Sequence, residues 1–138
     1  MTRILIDTNI IIDYLADRTP FAADSERVIE MCIDEYAEGA LSASAVTDIY
    51  YIMRKVTGRE KALIKIRPLL EILDVVSVGK SEILKAMELD IPDFEDALAA
   101  VCAERIKANY IVTRNTKDFK NSSVKAITPK DLVQLITL

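Results

Sequence analysis

The sequence predicts an α/β fold with three layers, in which helices cover both faces of a roughly five-stranded parallel sheet. Strand-like and helix-like segments alternate from end to end of the chain, as is typical of parallel β-α-β units. Glycine and proline make up about 5% of the residues, where about 12% is usual, so little of the chain is available for long loops. A chain of 138 residues can bury an adequate core, and we expect a single domain over residues 1–138.

Short apolar or β-branched runs predict the strands. These runs are residues 3–6, 40–42, 73–78, 110–112 and 124–127. Apolar residues at helical spacing predict the helices between them. These helices cover residues 10–15, 22–38, 44–56, 60–72, 81–89 and 94–108, and one more begins at Pro129.

Several residues suggest where the predicted helices begin and end. Gly39 is the expected end of the second helix, and Gly58 is the expected end of the third. Ser44 and Ser81 are the expected caps of the third and fifth helices. Pro68 falls inside the fourth helix, which it should break or kink.

The composition excludes several kinds of chemistry. The chain has no histidine, which excludes histidine bases, histidine triads and histidine metal ligands. Its two cysteines, Cys32 and Cys102, are too few for a thiolate zinc site and are expected in the core. The net charge is −4, so a uniformly basic nucleic-acid footprint is absent. No stretch has the order of a signal peptide or the length of a membrane span, and we expect a soluble cytoplasmic protein.

Acidic residues follow the predicted strands at the same edge of the sheet. Asp7 comes directly after the first strand, and Asp48 lies in the first turns of the helix after the second. Asp93 and Asp96 open the helix that leads into the fourth strand, and Asp118 lies in the loop after it. Ligand sites of open parallel sheets lie at this carboxyl edge, so we expect these side chains to be neighbours.

Clustered carboxylates repel one another, and a divalent cation such as Mg²⁺ or Mn²⁺ is the usual compensation. Such a site can hold a phosphodiester and activate water without any histidine. Ordinary structural roles are open for the same residues. Asp93 and Asp131 suit helix caps, Asp96 suits a helix dipole, Asp118 suits an Asx-turn, and Asp48 suits an exposed surface.

Three segments resemble the acidic motifs of PIN domains, in the family's order and spacing over nearly the whole chain. They are residues 4–13 (ILIDTNIIID), residues 93–100 (DFEDALAA) and residues 111–119 (IVTRNTKDF). PIN domains are metal-dependent ribonucleases, and many small prokaryotic members are VapC-type toxins of toxin–antitoxin pairs. The resemblance therefore implies a metal-dependent endoribonuclease that uses Mg²⁺ or Mn²⁺.

The resemblance also implies roles for individual residues. Asp7, Asp96 and Asp118 would ligate the metal, while Asn9 and Thr113 would be polar neighbours that orient ligands or water.

Two positions depart from the family's pattern. Asp48 is one methylene shorter than the glutamate that the family usually places a few residues after a Ser or Thr, here Ser44, and it would act as a fourth catalytic acid. Asn115 stands where many relatives have an acid, and Asp93 could assist from one turn before Asp96.

Possible RNA contacts and protein partners follow from the same interpretation. Arg114, Lys117 and Lys120 flank the Asp118 loop and are candidate RNA contacts. The basic stretch 54–67 could also contact phosphates, or it could be a solvated helical face. An antitoxin protein and a homodimer are the implied partners.

Two other functions remain open. A PIN-like module that has lost catalysis could bind RNA or protein, and the shortened Asp48 favours this alternative. A phosphatase of the haloacid dehalogenase kind also places an Asp after its first strand, but Asn9 stands where its second acid would be.

Overall fold

The computed structural model describes residues 1–137, which form the predicted three-layer α/β fold. The five strands are Thr2–Ile6 (β1), Ala37–Ser42 (β2), Asp74–Val76 (β3), Tyr110–Val112 (β4) and Lys125–Ile127 (β5). The helices are Thr8–Leu15 (α1), Ala22–Ile33 (α2), Ala43–Thr57 (α3), Arg59–Ile72 (α4), Lys80–Glu88 (α5), Phe94–Arg105 (α6) and Pro129–Thr137 (α7). A short 3₁₀ helix covers Thr116–Phe119. The sheet is parallel throughout, with the order β3-β2-β1-β4-β5, which confirms the predicted fold class.

The first strand lies at the centre of the sheet. It pairs with β2 on one side and with β4 on the other. Ile4 and Ile6 pack into the core shared with α1 to α4 and α7, while Leu5 packs into the core beneath α5 and α6. All three side chains are almost completely buried, as expected of a strand covered on both faces.

The prediction of a second helix over residues 22–38 is wrong in its second half. The helix α2 ends at Ile33, and Glu35 adopts a positive φ of 62° that reverses the chain. The amide of Tyr36 then donates to the carbonyl of Met31 at 2.9 Å, which closes the helix end. Gly39 therefore does not end a helix; it lies within β2.

Three smaller expectations also differ from the structure. Ser42, rather than Ser44, caps α3, because its Oγ accepts a hydrogen bond from the amide of Ala45 at 3.2 Å. Gly79, rather than Ser81, precedes α5, where the Glu82 carboxylate accepts from the Gly79 amide. Pro68 does not break α4, which continues to Ile72 with the proline on its exposed side.

The described part of the chain, residues 1–137, contains no helix with both the length and the apolar character needed to cross a bilayer.

Gly39 has no room for a side chain. A Cβ at this position would lie 2.6 Å from Leu73 Cδ2 and 2.7 Å from Cys32 Sγ. We expect Gly39→Ala to lower the free energy of unfolding by about 1–3 kcal/mol, since overpacking a dense core has this cost. Gly79→Ala is the matched control, because a Cβ there meets Glu82 at an ordinary 3.4 Å. Urea unfolding of both variants is the measurement, and equal stabilities would contradict the expected clash.

Candidate active site

Asp7 lies at the carboxyl end of β1, where the strand gives way to α1. Its Oδ1 accepts a hydrogen bond from the amide of Thr8 at 2.9 Å and so caps the helix. Its Oδ2 accepts from the hydroxyl of Thr113 at 2.9 Å, and its own amide donates to the carbonyl of Val112. Burial raises the pKa of Asp7, and the two hydrogen bonds to its carboxylate oppose that rise. The end of β4 therefore fixes the carboxylate that follows β1.

The first turn of α6 brings further carboxylates to this edge of the sheet. Asp93 caps the helix, because its Oδ1 accepts from the amide of Asp96 at 3.0 Å. Burial, together with the negative charges of Asp7, Asp93, Asp118 and Glu95, raises the pKa of Asp96 to about 7. Burial is the larger cause, and the contribution of the four charges shows that these carboxylates lie in one electrostatic neighbourhood. The expectation that one edge gathers Asp7, Asp93, Asp96 and Asp118 agrees with this electrostatic coupling.

Glu95 also belongs to this cluster, although the sequence did not single it out. Its Oε1 accepts a long hydrogen bond of 3.4 Å from the hydroxyl of Ser44, which lies 3.0 Å from the Oγ of Ser42. Burial and the charges of Asp48 and Asp7 raise the pKa of Glu95. Glu95 is thus the carboxylate that links the exposed Asp48 on α3 to the acids near β1.

The polar residues of the predicted site occupy different positions relative to Asp7. Thr113 is buried, and its Oγ1 also accepts a hydrogen bond from the amide of Asn115 at 3.1 Å. The amide of Asp118 donates to the carbonyl of Asn115, so the loop after β4 is tied together at the site. Asn9 lies half-buried in the first turn of α1, and the side chain of Asn115 is exposed.

The three basic candidates near Asp118 differ in their surroundings. Lys117 and Lys120 are exposed to solvent. The guanidinium of Arg114, in contrast, lies 2.8 Å from the carboxylate of Asp13 and stacks on the ring of Phe21. This geometry favours a structural contact for Arg114 over the predicted RNA contact.

The carboxylate cluster lacks compensation from basic side chains. Within residues 1–137, no lysine or arginine forms an ion pair with Asp7, Asp48, Glu95, Asp96 or Asp118. Carboxylate oxygens without a basic partner form a donor set that suits a hard divalent cation. No group of three acidic side chains in the described region already stands close enough to hold an ion. The donor set therefore fits a metal, and its side chains would have to draw together to bind one.

Comparisons with known proteins identify the family of this chain. The model of the PIN domain family matches residues 3–117. Ribonuclease VapC1 from Aquifex aeolicus is 26% identical over 137 residues, which cover 96% of this chain and 94% of that protein.

Solved structures share the fold at low sequence identity. VapBC2 from Rickettsia felis, bound to a DNA fragment from its promoter, matches with a TM-score of 0.68 and 19% identity, over 92% of this chain and 98% of its own. DNA-bound VapBC from Salmonella typhimurium matches with a TM-score of 0.72 and 14% identity, over 94% and 99% of the two chains. VapC20 from Mycobacterium tuberculosis, a toxin that cleaves the sarcin-ricin loop, has a TM-score of 0.63 and 14% identity, over 78% and 86%. The family match covers most of the sequence and includes Asp7, Asp48, Glu95 and Asp96, while Asp118 lies one residue beyond its end. The chain belongs to the PIN domain family.

Proposed function

We propose that this chain is a divalent-metal-dependent endoribonuclease that hydrolyses RNA phosphodiester bonds, and that it is the toxin of a toxin–antitoxin pair. The observation that carries the proposal is the carboxylate cluster without basic partners, in which burial and, after it, neighbouring negative charges raise the pKa of Asp96 to about 7. PIN-domain ribonucleases of the VapC type depend on a divalent metal ion. The similarity to a ribonuclease from Aquifex aeolicus supports the same activity here.

In this proposal Asp7, Asp96 and Asp118 hold Mg²⁺ or Mn²⁺. When bound, the ion would lower the pKa of a water molecule and offset the charge of the scissile phosphate. The chain itself supplies orientation: Thr113 holds Oδ2 of Asp7, and Asp93 fixes the start of α6 through the Asp96 amide.

The remaining acids of the cluster have a separate task. Glu95, held by Ser44, and the exposed Asp48 are placed to accept a proton from the attacking water. Asp48 takes the position that the family usually gives to a glutamate, and its charge acts on Glu95. Asn9 and Asn115 add neutral polar groups near the acids and no further negative charge.

The test of this function is cleavage of labelled single-stranded and structured RNAs with Mg²⁺, with Mn²⁺ and with EDTA. We expect internal cuts that require the metal. Binding of RNA and Mn²⁺ without cuts would favour the module that has lost catalysis. Metal-dependent hydrolysis of a small phosphomonoester, without internal RNA cuts, would favour the phosphatase. The relative activity with Mg²⁺ and Mn²⁺ would identify the preferred ion.

The α3–α4 hairpin is the surface that we propose for the antitoxin. Its exposed apolar side chains include Tyr51, Val56, Leu63 and Ile64, and Ile64 is 70% exposed. Basic residues surround them: Arg54, Lys55, Arg59, Lys61, Lys65 and Arg67. An acidic, amphipathic segment of a partner would bury the apolar groups and neutralise the positive charge. The solved relatives from Rickettsia felis and Salmonella typhimurium are toxin–antitoxin complexes, which supports a partner of this kind. The homodimer stays a prediction.

Lys117 and Lys120 are the proposed phosphate contacts beside Asp118. We expect the double variant Lys117→Gln/Lys120→Gln to bind RNA more weakly. The slope of log K against log salt concentration (the salt slope) should fall in magnitude by about 1.4, since each phosphate contact to a single strand contributes about 0.7. Fluorescence anisotropy at several salt concentrations is the measurement. The control is Lys107→Gln/Lys125→Gln, whose exposed lysines lie at the opposite edge of the sheet. Equal slopes for the two double variants would contradict the assignment.

A further inference from the structure

Asp13 is a buried carboxylate on α1, six residues beyond Asp7. It has no exposed surface, and such a charge requires charged or hydrogen-bonding partners. Its Oδ2 lies 2.8 Å from Nε of Arg114, and its Oδ1 accepts a hydrogen bond of 3.4 Å from Nη2 of the same residue. A third contact comes from Nη1 of Arg18 at 3.7 Å. Asp13 therefore connects α1 with the loop that follows β4.

The guanidinium of Arg114 is held on a second side as well. It lies 4.1 Å from the centre of the Phe21 ring, immediately before α2. A stacked guanidinium with a carboxylate partner has little freedom to turn toward solvent. The position of the Arg114 side chain thus fixes the position of its backbone.

That backbone carries the contacts of the acidic site. The preceding residue, Thr113, donates its hydroxyl hydrogen to Oδ2 of Asp7. The following residue, Asn115, donates its amide to the same hydroxyl oxygen and accepts from the amide of Asp118. A shift of Arg114 would therefore alter both the Thr113–Asp7 contact and the turn that carries Asp118.

We propose that Asp13 and Arg114 are positioning residues of the active site, a role that rests on the proposed function. Their ion pair holds the loop 113–118 against α1, so that Thr113 stays on Asp7 and Asp118 stays at the carboxyl edge. Buried ion pairs add little net stability compared with apolar residues of similar size. The ion pair instead fixes the position of the loop 113–118, which two apolar side chains would not do.

The test compares Arg114→Lys with the apolar double variant Asp13→Leu/Arg114→Met. Arg114→Lys keeps the charge but loses the planar group that spans Asp13 and Phe21. The double variant removes both charges, so it keeps the test usable if the single change does not fold. Arg105→Gln is the control, because it removes an exposed arginine whose partner is Glu82 on α5.

Three properties are measured on folded protein: Mn²⁺ binding by electron paramagnetic resonance, amide hydrogen exchange of residues 113–118 without metal, and the kinetics of RNA cleavage. We expect both variants to weaken Mn²⁺ binding about 10- to 100-fold, as for residues that orient metal ligands. We also expect faster exchange in the loop and a lower kcat with little change in KM. Arg105→Gln should match the wild type in all three.

Two results would overturn the proposal. If the double variant binds Mn²⁺ as tightly as the wild type and its loop exchanges at the same rate, the pair serves stability alone. A higher KM with unchanged Mn²⁺ binding and unchanged loop exchange would mean that Arg114 contacts RNA instead. If the wild type cleaves no RNA, the proposed function fails, while loop exchange still decides whether the pair places the loop.

Discussion

We expect the Asp7→Asn protein to fold and to cleave RNA on the order of a thousandfold more slowly than the wild type. Asparagine is a good helix cap, because its Oδ1 can accept from the Thr8 amide while its Nδ2 donates to the hydroxyl oxygen of Thr113, so α1 and the loop should keep their places. The variant lacks the negative charge that holds the cation. Losing about 4 kcal/mol of transition-state stabilisation corresponds to this factor. Single-turnover cleavage with Mg²⁺ or Mn²⁺ is the measurement, and circular dichroism checks the fold.

Asp131→Asn is the matched control for this experiment. Asp131 is an exposed acid in the first turn of α7, a helix that begins after β5 at the same edge of the sheet. We expect this variant to cleave RNA at the wild-type rate, because Asp131 is not among the charges that act on Asp96. An Asp7→Asn protein with activity close to that of Asp131→Asn would contradict the assignment of Asp7 as a metal ligand.

We further expect Asp96→Asn to stabilise the metal-free protein at pH 8 by about 1–2 kcal/mol, a value reduced for solvent screening of a partly exposed group. The pKa of Asp96 is about 7 in the folded protein, against an ordinary value of 3.8. The folded state therefore favours the protonated carboxyl. Its contribution to stability is complete below about pH 4 and is lost as the pH rises to about 7. Asparagine mimics the protonated form and has no such loss.

Urea unfolding with EDTA between pH 4 and pH 8 measures this difference. The stability advantage of Asp96→Asn should be small at pH 4 and largest at pH 8. Asp17→Asn is the control: Asp17 is exposed, and asparagine tolerates its positive φ of 51°. A constant offset between wild type and Asp96→Asn at every pH would show that Asp96 does not titrate as we describe. Mn²⁺ at pH 8 should stabilise the wild type more than the variant.

The positions of the main acids could be predicted because parallel topology determines them. A residue that follows one parallel strand lies near residues that follow its neighbours, and Asp7 and Asp118 follow the adjacent strands β1 and β4. The start of α6 was also predictable, since Asp93 is a strong helix cap. These inferences need only the order of strands and helices, which apolar periodicity provides.

Other features depend on packing that periodicity does not describe. Glu95 is one of three acids at the start of α6, and only the approach of Ser44 on α3 distinguishes it. The partner of Arg114 is 101 residues away in the sequence, so a basic residue beside Asp118 was a reasonable candidate for RNA binding. The end of α2 was missed because Glu35, rather than a glycine, adopts the positive φ that stops the helix.

The central position of β1 has a consequence for the order in which the chain is made. The first strand is synthesised before its β4 neighbour and before the Thr113 hydroxyl that holds Asp7, which comes more than 100 residues later. Asp118 follows later still, beyond β4. A partly translated chain therefore lacks the complete set of Asp7, Asp96 and Asp118 until β4 has been synthesised. Under the proposed function, we expect cleavage to begin only after β4 and Asp118 have joined the sheet, so that a shorter nascent chain spares the messenger RNA that encodes it.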